Sequence, residues 1–178
     1  MKKLLFLTVV LGVVVFMVAS CSFMINFTKE IPLNVSKSIE GLNAGSTDFD
    51  SMTLTISTDD LPLNHVVTTA TITVVVNFSA GGGLNPSKYG NGVEGTIKFC
   101  ISEESIDDIT TCNDNAISGD LSYHAGENNF EVSSEKIANL LNQGYRTLYF
   151  GFIVDPDSDG DINVEADELK VVGKKPTF

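Results

Sequence analysis

The chain contains no tryptophan, two histidines and five prolines. His65 and His124 are far apart, no H-E-x-x-H brings a second imidazole to a metal, and no G-x-S-x-G supplies a serine elbow. The glycines of the run from Gly81 to Gly95 do not end in G-K-[ST] and follow no βαβ pattern, so they lack the order of a phosphate cradle; a flexible surface connection is expected, with a mobile binding loop carrying Tyr89 as the alternative. Cysteine is also scarce, and none of the three lies in a C-x-x-C, which removes the usual redox and zinc spacings. Only four tyrosines accompany the missing tryptophan, leaving little aromatic surface on which a sugar ring could stack. Positive charge is short as well: 11 Lys and Arg face 23 Asp and Glu, a net charge of −12. A surface this acidic is expected to be repelled by nucleic acid and by anionic lipid headgroups, so any hold on a membrane would come from lipid and not from charge. No period of 20–50 residues recurs, which excludes solenoids and propellers.

What the chain has in quantity is alternation. From His65 to Phe78, Val66, Thr68, Ala70, Ile72, Val74, Val76 and Phe78 alternate with Val67, Thr69, Thr71, Thr73, Val75 and Asn77. One set is nearly all apolar and the other mostly polar, with much β-branching, the pattern of a strand buried on one face. Such clean alternation belongs to antiparallel sheets covered on one side. Further strands are expected at Phe27–Val35, Met52–Ser57, Thr96–Ile101, Leu121–Tyr123, Phe130–Val132, Thr147–Val154 and Leu169–Val172, with Ser36–Asp50 as a loop. Thr147–Val154 is apolar on both sides and should be central. One short helix is predicted over Ser133–Asn142, where Ile137, Leu140 and Leu141 share a face, Ser133 caps the start and Gly144 suits the stop. Seven or eight strands with one helix make a mainly β protein, an antiparallel β-sandwich of Ig-like or jelly-roll type; a small closed barrel is the alternative.

The first residues are of another kind. Lys2 and Lys3 precede Leu4–Val18, a run without charge, and small residues lead into Cys21. That three-part build is a secretory signal, and its apolar run is short for a membrane span. Val18-Ala19-Ser20-Cys21 resembles the lipobox of bacterial lipoproteins. The resemblance implies cleavage before Cys21, acylation of that cysteine and a membrane anchor of two or three acyl chains. Residues 1–20 are then the signal peptide and 21–178 a single sandwich domain in the cell envelope. Ser22 in place of Asp favours the outer membrane or cell surface. Loss of Lys2 and Lys3 with the signal leaves nine basic residues against 23 acidic, a net charge near −14. With Cys21 spent on lipid, Cys100 and Cys112 form an even pair in an oxidising compartment, and a disulfide between them is expected around an acidic excursion.

Asp155-Pro-Asp157-Ser-Asp159-Gly160-Asp161-Ile162-Asn163 resembles the opening of an EF-hand or dockerin-type calcium loop, with oxygen donors at positions 1, 3, 5 and 9 and glycine at 6. Position 12 is Ala166, so Glu165 and Asp167 beside it are the nearest further donors. The resemblance implies a structural calcium ion held by Asp155, Asp157, Asp159, Asp161, Asn163, Glu165 and Asp167. Seven carboxylates without a cation among them in Asp155–Glu168 also repel one another, by about 0.7 kcal/mol per pair 6 Å apart in water. Ordinary turn chemistry at Asp-Pro and Asp-Gly accounts for the same residues without an ion.

Two weaker patterns remain. Asp120, Ser122 and His124 fall on one side of a possible strand, and Ser133-Ser-Glu-Lys136 fits the S-x-x-K of penicillin-binding enzymes without its companion motifs. The sequence as a whole points to a non-catalytic binding or scaffolding module, tied to the membrane by lipid and facing an envelope protein or polymer. A hydrolase acting on an envelope polymer is the rival reading.

Overall fold

The threonine–valine run forms the third of eight strands in the computed structural model, which describes residues 23–81 and 92–177. In chain order these are β1 (Met24–Leu42), β2 (Asp48–Thr55), β3 (Val66–Ala80), β4 (Val93–Ser102), β5 (Leu121–His124), β6 (Gly126–Ser133), β7 (Thr147–Pro156) and β8 (Gly160–Pro176). Two helices interrupt them, α1 (Ile109–Asp114) and α2 (Glu135–Asn142). The strands build two antiparallel four-stranded sheets, ordered β1-β8-β3-β6 and β2-β7-β4-β5. First pairs with eighth, second with seventh, third with sixth and fourth with fifth, as in one long hairpin. Rolling that hairpin brings β8 against β3 and β7 against β4. This is a jelly roll, which decides between the two sandwich types.

Ile72, Val74, Val76 and Phe78 of β3 meet Phe99 and Ile101 of β4 and Phe150, Phe152 and Val154 of β7 in one core. Phe99 stacks on Phe150 with ring centroids 5.5 Å apart and reaches Phe130 of the opposite sheet at 6.0 Å. The alternation in β3 holds from Ala70 onward but changes phase before it. A bulge between Val67 and Thr69 buries Val67 and leaves Val66 and Thr68 exposed, the reverse of the simple period.

β1 and β8 run longer than the sequence pattern indicates. β1 continues through Ser36–Leu42, part of the stretch expected to be a loop. Bulges after Pro32 and after Ile39, with Asn34 at φ 49° and Gly41 at φ 70°, let it keep step with β8. Its serines face solvent from an edge strand, where low apolar content costs little. α2 begins one residue later than expected: Ser134, not Ser133, accepts the Lys136 backbone N–H as the cap.

The disulfide joins Cys100 and Cys112, with Cα atoms 5.3 Å apart. Cys100 points away from the main core, yet both cysteines are fully buried. The segment between them folds back over the outer face of the second sheet. There Ile106 and Ile153 join the cystine in a small second core, with Phe49, Ile109 and Tyr149 packed around it. α1 lies in this excursion and was not legible in the sequence; Asp108 caps it by accepting the Thr111 N–H, which holds the Asp108 carboxyl below its ordinary value. The cover explains why β7 is apolar on both faces. Gly151 makes room for it, since a Cβ there would stand 2.7 Å from Cys100 Sγ.

Candidate functional site

Topology sorts the charge. The ends of β1, β3, β5 and β7 and the starts of β2, β4, β6 and β8 meet at one pole, as the pairings Leu42–Gly160–Ala80, Asp48–Val154, Gly95–Pro156 and Val93–His124 require. Glu40, Asp48, Glu94, Glu127, Asp155, Asp157, Asp159 and Asp161 come from these chain ends, and the runs 38–49, 92–97, 124–131 and 155–163 contain no Lys or Arg.

Hydrogen bonds from β1 and the following loop hold the acids of the β7–β8 turn apart. Asp155 accepts from Thr47 Oγ1 at 2.5 Å, Asp159 from the Ala44 N–H at 2.8 Å and Asp161 from the Gly41 N–H at 2.8 Å. Asn163 Oδ1 accepts from Ser38 Oγ at 2.9 Å. On the other side, the Asp157 N–H donates to the Glu94 carbonyl at 2.8 Å, and Ser158 Oγ donates to the Glu94 carboxylate. Glu94 is itself buried.

The residues of the calcium-loop resemblance therefore sit in a turn and a strand. Asp161, Asn163 and Glu165 alternate with buried Ile162, Val164 and Ala166, and Asp167 falls where β8 bulges against β3. Neighbours on one face of a strand are about 6.8 Å apart, whereas calcium holds its oxygens at about 2.3–2.6 Å. Among the described residues no group of three or more Asp, Glu, His or Cys is placed to hold a metal ion. Asp161 accepts the N–H of the bulged Gly41 and so fastens β1 to the start of β8. Asp161→Ala is expected to cost at most about 1 kcal/mol and to lower the melting temperature equally with and without chelator. A loss seen only in the absence of chelator would return the residue to a metal.

Beneath this pole lies Tyr123, in the short strand β5. Its ring packs against Phe78 with centroids 5.2 Å apart, and its hydroxyl is buried with no hydrogen-bond partner among the described residues. Gly95, at φ 155°, allows this: a Cβ would stand 2.4 Å from the hydroxyl and 2.5 Å from the Asp155 carbonyl oxygen. Burial, reinforced by the negative charges of Asp157, Glu94 and Asp155, pushes the Tyr123 pKa well above its ordinary value near 10. An acid whose folded pKa is raised contributes stability that is complete below the unfolded value and is lost as pH climbs beyond it. Tyr123→Phe is therefore expected to melt no lower than the parent at neutral pH and to lose less stability above about pH 10, the ordinary phenol value. A steeper alkaline loss in the variant would contradict this placement. Nothing in the linear sequence marks Tyr123 and Glu94 as neighbours beyond a carboxylate next to a strand glycine.

Beside the turn, on the outer face of the first sheet, Ser38, Glu40, Asn77, Ser79, Asp161 and Asn163 line an open depression of about 160 Å³. Register explains the grouping: Asn163 stands between Ser38 and Asn77, and Asp161 opposite Ser79. Hydroxyl, amide and carboxylate side chains line it together with Ile162.

The weaker patterns are not assembled as catalytic sets. Asp120 pairs with Lys98 at 3.1 Å and His124 Nδ1 meets the Gly92 carbonyl, and no hydrogen bond joins Asp120, Ser122 and His124. Ser133 bonds Thr71, while Lys136 donates to Asn115 Oδ1; burial lowers the Lys136 pKa, partly offset by Glu103. Cys21 and Tyr89 lie outside the described residues, and no described helix is long and apolar enough to cross a membrane.

The class is that of an eight-stranded jelly roll with an acidic pole. No family model matches the chain, and no curated protein matches it. Among solved structures it is similar to the decameric BFDV capsid protein, at 11% identity over 85% of this chain and 98% of that one, with a TM-score of 0.34. It is also similar to TmCBM61 in complex with β-1,4-galactotriose, at 8% identity over 90% and 94% of the two chains and a TM-score of 0.33. The tobacco streak virus coat protein aligns at 14% identity over 87% and 88%, with a TM-score of 0.26. Likenesses at this level transfer no activity.

Proposed function

We propose that this protein is a cell-envelope lipoprotein, anchored through acylated Cys21, whose jelly roll is a non-catalytic binding module with its acidic pole turned away from the membrane. The observation that carries the reading is the segregation of charge along the sandwich. Phe23, where β1 is about to begin, lies two residues after Cys21, at the end opposite the pole that gathers Glu94 and Asp155 through Asp161. A module so oriented offers carboxylates, hydroxyls and amides outward. Its complement is an envelope component carrying positive charge, met by long-range attraction and fixed by hydrogen bonds in the depression along β1, β8 and β3.

Cys21→Ser is expected to abolish labelling by a fatty-acid precursor and to shift the protein from the membrane fraction to the soluble one. Unchanged partitioning would refute the anchor. For the binding role, the intact lipoprotein is cross-linked in its own envelope with and without raised salt. Loss of the captured partner at high salt supports an acid-directed contact, and capture insensitive to salt overturns it.

A further inference from the structure

The end of the sandwich opposite the acidic pole differs from it in both charge and polarity. Residues 23–29, 61–72 and 169–177 lie at this end and carry four lysines, Lys29, Lys170, Lys174 and Lys175, of which Lys170 pairs with Glu30 at 3.4 Å; Asp59 and Asp60 before β3 and Glu103 and Glu104 after β4 come from neighbouring connections. Pairing sets Lys175 beside Ile25, and Lys174 between Asn26 and Val66. Large apolar side chains are exposed here: Phe23 at 71%, Leu63 at 87% and Val66 at 49%, with Met24 and Ile25 just under half. Among the described residues, these five and Tyr145 are the exposed large hydrophobics.

Two strands create the patch by overrunning the core. Phe23 and Ile25 continue the inward-facing parity of Phe27 and Ile31, past the point where Phe27 packs edge-on against His65 at 6.2 Å. The β3 bulge described above turns Val66 outward beside them. Exposed apolar groups clustered around Lys174 and Lys175 are out of place on a chain of net charge −12. They suit an interface of hydrocarbon and anionic headgroups, where apolar side chains enter the acyl boundary and lysines meet phosphates.

We infer that this end of the jelly roll is a membrane-docking surface: Phe23, Met24, Ile25, Leu63 and Val66 insert into the outer layer of an anionic bilayer, with Lys174 and Lys175 at its headgroups. The inference rests on the lipid-anchor reading, because an acylated Cys21 two residues before Phe23 brings this end, and no other, to the bilayer. It adds that the domain lies against the membrane with a set orientation, holding the acidic pole at the far side and repelled from the same headgroups. A free tether would leave the orientation open; a strand that starts next to the acylated residue does not.

The absence of tryptophan makes the test direct. Ile25→Trp and Leu63→Trp are placed as sole reporters at the docking end and Glu127→Trp at the acidic pole, each in the acylated protein purified from membranes. Each is reconstituted into vesicles of phosphatidylglycerol and brominated phosphatidylcholine. Blue-shifted emission and loss of fluorescence to bromine at residues 25 and 63, with neither at 127, support the inference. Protein that floats with the vesicles while residues 25 and 63 stay unquenched and open to a water-soluble quencher overturns the docking surface and leaves the anchor intact. Residues shielded from that quencher yet untouched by bromine overturn it too, assigning the patch to a second copy of the chain. Protein that fails to float overturns the anchor, and the docking surface with it.

Discussion

Phe99→Ala is expected to destabilise the protein by about 3–5 kcal/mol, the range for removing a buried ring from a core that cannot close around the gap. Phe99 is fully buried, stacked on Phe150 of its own sheet and touching Phe130 of the other. It therefore joins the two layers at the sandwich centre. Net stabilities of such domains run about 5–15 kcal/mol, so the variant spends a large share of the margin and its urea midpoint should fall steeply. Thr96→Ala, outside on the same strand, should stay within about 0.5 kcal/mol of the parent. Equal midpoints for the two variants would mean that the sheets do not meet through Phe99.

Opening the cystine is the second large effect. The bond closes a loop with a sequence separation of 12, worth about 3 kcal/mol through the unfolded chain. Cys100→Ser/Cys112→Ser should then lower the melting temperature by about 6–12 °C for a domain of this size. More than entropy is at stake, because Ile106, Ile153 and Phe49 are sheltered by the clamped excursion. Hydrogen exchange should therefore rise first along β7 and β4 under Cys100, before the first sheet is affected. A variant that melts lower but keeps its β7 protection would confine the bond's action to the unfolded state.

Much of the architecture follows from residues read locally. A strand alternates its side chains regardless of what it pairs with, so β3 from Ala70 onward and Ile97, Phe99 and Ile101 in β4 could be oriented without a partner in view. The buried β7 showed itself in the same way, as did the even cysteine pair. Bulges broke this reading. One bulged residue at Thr68 reverses every neighbour toward the N-terminus, and no composition signal announces it. The edge strand β1 escaped because its second half is serine and glycine, residues that read as loop until a partner strand fixes them.

The acidic stretch after Asp155 shows the same limit at the candidate site. Oxygen donors on alternate positions fit a metal-binding loop and the wet face of a strand equally well when only spacing is known. Ile162, Val164 and Ala166, buried between β1 and β3, give residues 160–166 their strand identity. The partners of these acids, Gly41, Ala44 and Thr47, lie more than a hundred positions away in the chain. Tyr123 and Glu94 are likewise joined only by the pairing of β4 with β5.

By itself, then, the amino-acid order determined a mainly β sandwich, the faces of most of its strands and the cystine, because side-chain direction along a strand is a local property. Tertiary structure alone decided the jelly-roll order, the separation of an acidic pole from an apolar, lysine-bearing end, and the strand identity of the acidic run. Those depend on which distant segments share hydrogen bonds, and pairing across a hundred residues leaves no trace in spacing.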